Sequence, residues 1–294
     1  MEKAASSVLK QMNITSRLVL PGSCCCSSFQ SSSSSSLHFP FPISVPFKFR
    51  SRRSTNSVSD AAFPVPSSVI KVAATDLSLA VKKKAADVSP ELKGSSIFLI
   101  GMKSSLKTNL GKQLADVLRY YYFDSDNLVE EAIGGASAAK SFKESDETGF
   151  YDSETEVLKQ LSSMGRLVVC AGNGAVQNST NLALLRHGIT FWIDLPLEIV
   201  ARDVTENPTQ FPSFEISTSG SYPEVMDELC ALYNKYKDGY ATADAIISLQ
   251  KVASRLGYES LDDITTEDMA LEVLGEIEKL TRVKKMMAEA ARPF

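Results

Sequence analysis

The sequence predicts an α/β fold with a central parallel sheet, and three observations carry that expectation. Short continuous apolar runs recur along the chain, helix-length amphipathic stretches lie between them, and the first run leads at once into a glycine-initiated loop ending in Lys-Thr. Runs that are apolar throughout mark strands buried on both faces. Strands alternating with helices argue for right-handed crossovers in a parallel sheet. The first strand is expected at Ile97-Phe98-Leu99-Ile100, with others at Leu167 to Cys170, Ile189 to Ile193 and Ala245 to Leu249. Leu110 to Tyr120 and Ser153 to Met164 are expected as helices between them, and no internal repeat is found. Trp192, inside the apolar run Phe191-Trp192-Ile193, is expected to be core. Cys170 is expected to be a small buried hydrophobe rather than a redox thiol.

Composition bounds the function classes. With 44% hydrophobic residues over 294 positions there is ample material for a core, and no apolar stretch is long enough to span a membrane. A net charge of −4 offers no footprint for nucleic acid. Three of the five cysteines, Cys24 to Cys26, are adjacent near the N-terminus, which excludes a disulfide framework, and His38 and His187 are too few for zinc-type spacing. The only metal to consider is nucleotide-borne magnesium.

The N-terminal region is organised differently from the rest. No acidic residue occurs between Lys3 and Asn56, while Lys3, Lys10, Arg17, Lys48, Arg50, Arg52 and Arg53 surround an unbroken serine run, Ser31 to Ser36. That is transit-peptide composition, and serine dominance favours the plastid. Residues 1–60 are therefore expected to be a plastid transit peptide. Residues 61–93 are expected to be a linker with a lead-in helix, Leu77 to Val88, and residues 94–285 the folded domain. Lys82 to Lys84 are expected on a solvated helix face.

After the first strand comes Gly101-Met102-Lys103-Ser104-Ser105-Leu106-Lys107-Thr108 and then a helix, the position of a phosphate-binding loop. The pattern G-x-x-x-x-G-K-[ST] is met at Gly101, Lys107 and Thr108 and fails at Leu106. In such loops backbone N–H groups cradle the phosphates, the lysine reaches them, and the Ser/Thr hydroxyl takes magnesium. Leu106 is expected to cost about 1 to 2 kcal/mol if its backbone is left-handed, and to obstruct the phosphates. Strand-loop-helix turns ending in lysine also occur without nucleotide binding.

Further segments carry a resemblance. Phe123-Asp124-Ser125-Asp126, Gly149-Phe150-Tyr151-Asp152-Ser153-Glu154, Cys170-Ala171-Gly172-Asn173-Gly174 and Tyr240-Ala241-Thr242-Ala243-Asp244 fall in the order and spacing of shikimate kinases. The resemblance covers roughly Gly94 to Lys279. It implies a three-layer P-loop kinase-like fold of the shikimate kinase and nucleoside monophosphate kinase type. It also implies that Asp124 helps hold magnesium with Thr108, that Asp126 orients the acceptor hydroxyl, and that Gly172, Asn173 and Gly174 form a loop whose backbone meets the substrate. Asp-x-Asp at a strand end also serves as a helix N-cap.

The departures matter as much. The family clamps its substrate carboxylate with two arginines, and here those positions are Tyr151 and Tyr236, the latter flanked by Lys235 and Lys237. A phenol offers one neutral donor where guanidinium offers a charged fork. The middle glycine of the loop is Asn173, a residue that tolerates positive φ. The lid that folds an arginine over the phosphates corresponds to Thr205 to Val225, which holds Glu206, Glu215 and Glu224 and neither lysine nor arginine. Hydrogen bonds to charged groups contribute about 1.5 to 3 kcal/mol each, so losing three arginines removes on the order of 10³ to 10⁶ in transition-state stabilisation. The expectation is a plastid-stromal homologue that does not phosphorylate shikimate. It requires no cofactor, binds magnesium–ATP weakly if at all, and serves an unidentified plastid protein partner in chloroplast development. Two alternatives stay open: a kinase of altered specificity using Lys107, Thr108, Asp124 and Asp126, and a nucleotide sensor in which Lys103, Lys107 and Thr108 take phosphate.

Overall fold

The computed structural model describes residues 67–207 and 221–291. The expected transit peptide and residues 208–220, the larger part of the expected lid, lie outside the described residues.

The apolar runs form strands because each is flanked by loop chemistry and is too short for a stable helix. Strands β1 (Ile97–Ile100) and β3 (Leu167–Cys170) are buried along their whole length, and β4 (Ile189–Asp194) nearly so. Two more strands, β2 (Tyr121–Asp124) and β5 (Ala245–Ser248), complete a five-stranded sheet in the order β2-β3-β1-β4-β5. Every pairing is parallel, with Phe98 opposite Val169 on one side and Thr190 on the other. Burial of β1 and β3 on both faces requires helices on both sides of the sheet.

Those helices, in chain order, begin with α1 (Ser67–Leu92), α2 (Ser105–Leu118), α3 (Ser125–Ile133), α4 (Ala136–Ser145) and α5 (Glu147–Ser162). They continue with α6 (Ser179–Leu185), α7 (Leu197–Glu206), α8 (Tyr222–Tyr240), α9 (Leu249–Leu256) and α10 (Thr266–Ala290). Helix α1 is longer than the lead-in stretch expected from sequence, and it is part of the domain's core. Its Val81, Ala85, Val88 and Leu92 are buried at helical spacing, and it packs along α10 and α2. From α10 come Met269, Ala270, Val273, Leu274 and Ile277 at matching spacing, and Lys84 pairs with Glu278 across the two helices. Lys82 and Lys83 are exposed, as a solvated face requires.

The topology places a site. Strand β1 is flanked by β3 and β4, so the chain leaving β1 crosses toward β2 while the chain leaving β3 returns past it to β4. The carboxyl ends of β1 and β3 therefore border a crevice, the usual ligand position in open parallel sheets. Gly101 enters it with φ +117°, and a Cβ there would lie 2.5 Å from the Ile193 carbonyl oxygen, so only glycine makes this turn.

Candidate functional site

The loop after β1 closes directly into α2, whose first helical residue is Ser105. Ser104 is the N-cap, and its hydroxyl oxygen accepts a hydrogen bond from the Lys107 N–H at 3.1 Å. The Asp203 carboxylate, carried by α7, accepts from the Ser105 N–H, and its other oxygen accepts from Asn207 Nδ2 at 3.0 Å. Two N–H groups at the amino end of α2 thus already have oxygen partners. Leu106 sits inside the helix: among the described residues the only non-glycine positive φ angles belong to Lys93, Arg119 and Arg166. The expectation of left-handed strain at Leu106 is therefore corrected. The helix starts early enough to give that position ordinary helical geometry.

Lys107 is buried, and its Nζ donates to the carbonyl oxygens of Gly101 at 2.6 Å and Ala171 at 3.1 Å. Burial lowers its pKa below the usual lysine value. Thr108 follows on the same helix, half-buried. Lys103 faces carboxylates rather than the mouth of the loop. Its ammonium lies 3.5 Å from Asp124 Oδ1 and 3.4 Å from Asp126 Oδ2.

The two aspartates end β2 and begin α3. Asp124 is the N-cap of α3, with Oδ1 accepting from the N–H groups of Asp126 and Asn127 at 3.1 and 3.2 Å. Burial raises its carboxyl above the usual range, the Lys103 ammonium opposes the shift, and the Asp126 charge adds to it. The structure brings Lys103, Lys107, Asp124 and Asp126 together in one buried cluster next to Cys170. Burial pushes the Cys170 thiol up to about 12, and its Sγ donates to the Lys107 carbonyl, so it is an inert core group.

On the substrate side, the loop after β3 is a 3₁₀ turn, Asn173–Val176. Asn173 does not take a positive φ, which corrects the reason expected for an asparagine there. Its buried Oδ1 accepts from the Tyr240 hydroxyl. The Gly172 N–H donates to Ser125 Oγ at 2.9 Å, and the Gly174 carbonyl accepts from Asn181 Nδ2 at 2.8 Å. What remains between Ser125, Asp126, Glu154 and Gly174 is a cavity of about 10 Å³, at the threshold for one water molecule.

The two tyrosines at the clamp positions point to different neighbours. The Tyr151 hydroxyl donates to Glu147 one turn earlier on α5, and its ring meets Phe150 edge-on at 6.3 Å. Tyr236 is buried against Tyr240 at 6.5 Å, with Lys235 Nζ 5.0 Å above its ring. Trp192, expected as core, is half-buried and packs against the core on Tyr240 and Tyr233 at 5.8 and 6.5 Å. A wider cleft of about 270 Å³ opens where β4 and β5 end, between Asp194, Pro196, Tyr233 and Gln250. Its lining, among the described residues, includes no lysine or arginine. Glu224, from the expected lid, completes a capping box at the start of α8 by accepting from the Ser221 N–H.

In this arrangement the Ser105 and Lys107 N–H groups and the Asp124 and Asp126 carboxylates, which a phosphate and a magnesium ion would use, are engaged within the chain. The residues present do not fit magnesium–ATP without rearrangement: the α2 N–H donors face Ser104 and Asp203, and both acidic side chains face Lys103. Sequence reasoning missed Asp203 and Ser125. Ser125 was within reach, next to two named aspartates; Asp203 lies 98 residues from Ser105, and no local pattern announces that contact.

A five-stranded parallel sheet in this order, with a glycine-led loop running from β1 into a helix, defines the P-loop kinase-like class. The family model described as shikimate kinase matches residues 103–259. The chain is 61% identical over 214 residues to "Probable inactive shikimate kinase like 1, chloroplastic" of Arabidopsis thaliana, covering 73% of each chain. It is 40% identical over 213 residues to "Shikimate kinase 3, chloroplastic" of Oryza sativa subsp. japonica, covering 72% of this chain and 74% of that one. The solved shikimate kinase from Acinetobacter baumannii in complex with shikimate shares the fold with a TM-score of 0.52 at 24% identity, over 65% of this chain and 97% of its own. The chain belongs to the shikimate kinase family.

Proposed function

We propose that this chain is a plastid member of the family that does not phosphorylate shikimate and instead serves a non-catalytic role in chloroplast development through a protein partner. The observation that carries this reading is the internal engagement of the phosphate loop, with Asp203 on the Ser105 N–H and Lys103 between Asp124 and Asp126. It is supported by the tyrosines at both clamp positions and by the cavity of about 10 Å³ beside Asp126. The relative whose name includes "inactive" and "chloroplastic", together with the basic, acid-poor, serine-rich N-terminus, supports the plastid assignment. The assignment of residues 1–60 as the address belongs to this reading.

The test is isothermal titration of magnesium–ATP and then shikimate into the purified protein, beside a coupled phosphoryl-transfer assay with rice shikimate kinase 3 as positive control. Absence of both heat and turnover is expected, and partner capture from plastid extract follows. Turnover of shikimate overturns the reading. A kinase of altered specificity draws on the proximity of Lys107, Asp124 and Asp126, and turnover of a carboxylate-free acceptor would establish it. Saturable nucleotide binding without turnover would establish a sensor.

A further inference from the structure

The site is buried and densely charged, yet every charge in it has a partner supplied by the chain. On one side, two carboxylates that end β2 and begin α3 share a single ammonium, from Lys103, at 3.5 and 3.4 Å. Two adjacent buried carboxylates without a cation repel one another and resist ionisation, so a cation at this point is what lets the pair carry its charge. On the other side, the amino end of α2 carries N–H dipoles equivalent to about half a positive charge and attracts an anion. Asp203 is buried, reaches it from α7, and has both carboxylate oxygens hydrogen-bonded, one to Ser105 N–H and the other to Asn207. Helix α7 and the loop are 98 residues apart in sequence, so the contact is tertiary and not an ordinary local cap.

From these contacts we infer that Lys103 and Asp203 are resident counter-ions, and that they decide whether this fold accepts a metal and a phosphate. Lys103 stands in for a divalent cation between Asp124 and Asp126. Asp203 stands in for an oxyanion at the amino end of α2. The chain thereby holds, without a ligand, the charge arrangement that a ligand would otherwise complete. The inference rests on the non-catalytic reading above and adds the residues that enforce it.

The test uses the full-length chain, three variants and two probes, magnesium chloride alone and inorganic tripolyphosphate alone, followed by thermal denaturation and titration calorimetry. The parent is expected to show no shift in Tm with either probe at millimolar concentration. Lys103→Met is expected to lower Tm in the absence of metal and to recover with magnesium; Lys103→Arg, which keeps the charge, is expected to stay indifferent to magnesium. Asp203→Asn keeps the shape and an acceptor while removing the negative charge, and is expected to bind tripolyphosphate at least about tenfold more tightly than the parent. Far-UV circular dichroism establishes that each variant is folded, and Lys103→Gln and Asp203→Ser serve as replacements for any that is not. Folded variants no more responsive than the parent would overturn the inference, as would a parent that responds to both probes equally with its variants. Shikimate turnover by the parent would sink the non-catalytic reading alone, because the counter-ion test reads the difference between variant and parent.

Discussion

Replacing Asp124 by asparagine separates a carboxylate kept for its charge from one kept for its shape. Asp124 Oδ1 caps α3 through the Asp126 and Asn127 N–H groups and also faces Lys103. At 3.5 Å and an effective dielectric of about 20, that ion pair attracts by about 4 to 5 kcal/mol before desolvation. The raised pKa of Asp124 shows which effect wins: burial and the neighbouring Asp126 charge together outweigh Lys103. Asparagine caps helices as well as aspartate does, and Lys103 keeps Asp126 at 3.4 Å. Asp124→Asn should therefore match or exceed the parent in stability at neutral pH, whereas Asp124→Ala, which loses the cap, should lose about 1 kcal/mol, or roughly 2 to 4 °C in Tm for a domain of this size. The pH dependence has a definite sign. A carboxyl whose folded pKa is raised binds its proton more tightly in the native state, so its stabilising contribution is complete below the unfolded value and is lost as pH rises through the folded one. The advantage of Asp124→Asn over the parent should grow on titration from about pH 4 toward neutrality, measured by urea denaturation at each pH. An asparagine variant as unstable as the alanine variant, or an advantage that shrinks with rising pH, would refute the reasoning.

Other substitutions test neighbouring claims. A Cβ on Gly172 would lie 1.6 Å from Asp126 Oδ1, and one on Gly174 would lie 2.2 Å from Glu154. Gly172→Ala and Gly174→Ala should each cost about 1 to 3 kcal/mol or more by overpacking, visible in denaturation without any substrate. Asn173→Ala removes the buried acceptor of the Tyr240 hydroxyl and should cost about 1 to 3 kcal/mol, read as a lower urea midpoint. Leu92→Ala, at the fully buried end of α1, should cost about 2 to 5 kcal/mol, a result incompatible with α1 being a loose linker. Tyr151→Arg combined with Tyr236→Arg returns guanidinium to the clamp positions but should yield no shikimate turnover in the coupled assay, because the loop at α2 remains closed by Asp203.

The sequence exposed those parts of the fold that are decided locally. β1, β3 and β4 announced themselves because strands buried on both faces must be apolar at every position. The edge strand β2 was harder to see, since Tyr121 is exposed and Tyr122 half-buried, and the apolar part ends at Phe123. Helix α1 reads from sequence as a linker with a short lead-in helix because its apolar residues mean little without α10, which arrives nearly 200 residues later to cover them. The same division holds in the site. Lys107 was found by the phosphate-loop pattern, and Asp124, Asp126 and the Gly172 loop by the resemblance, but what they do was set by residues that neither reaches. The chemistry of Lys103 is fixed by the junction of β2 and α3, the contact at the loop by α7, and Asn173 by the last residue of α8.

The same geometry bears on why the chain keeps the motif whatever its activity. Every retained motif residue with a described contact has a structural role independent of any ligand. Lys107 satisfies the carbonyl oxygens of Gly101 and Ala171, Asp124 caps α3, Asp126 shares Lys103, Gly172 makes room for Asp126, and Gly101 makes the turn out of β1. Removing any of them leaves a buried polar group without its partner or forces a steric clash, each costing more than an exposed substitution would. Catalysis by this fold would need a further property, that the loop's N–H groups and the two carboxylates be available to a ligand. On the proposed reading that availability is what Asp203 and Lys103 remove, and they do so while leaving the inherited contacts in place. Persistence of the motif is therefore evidence for the fold, and on the proposed reading activity turns on Lys103 and Asp203, the two side chains that face it.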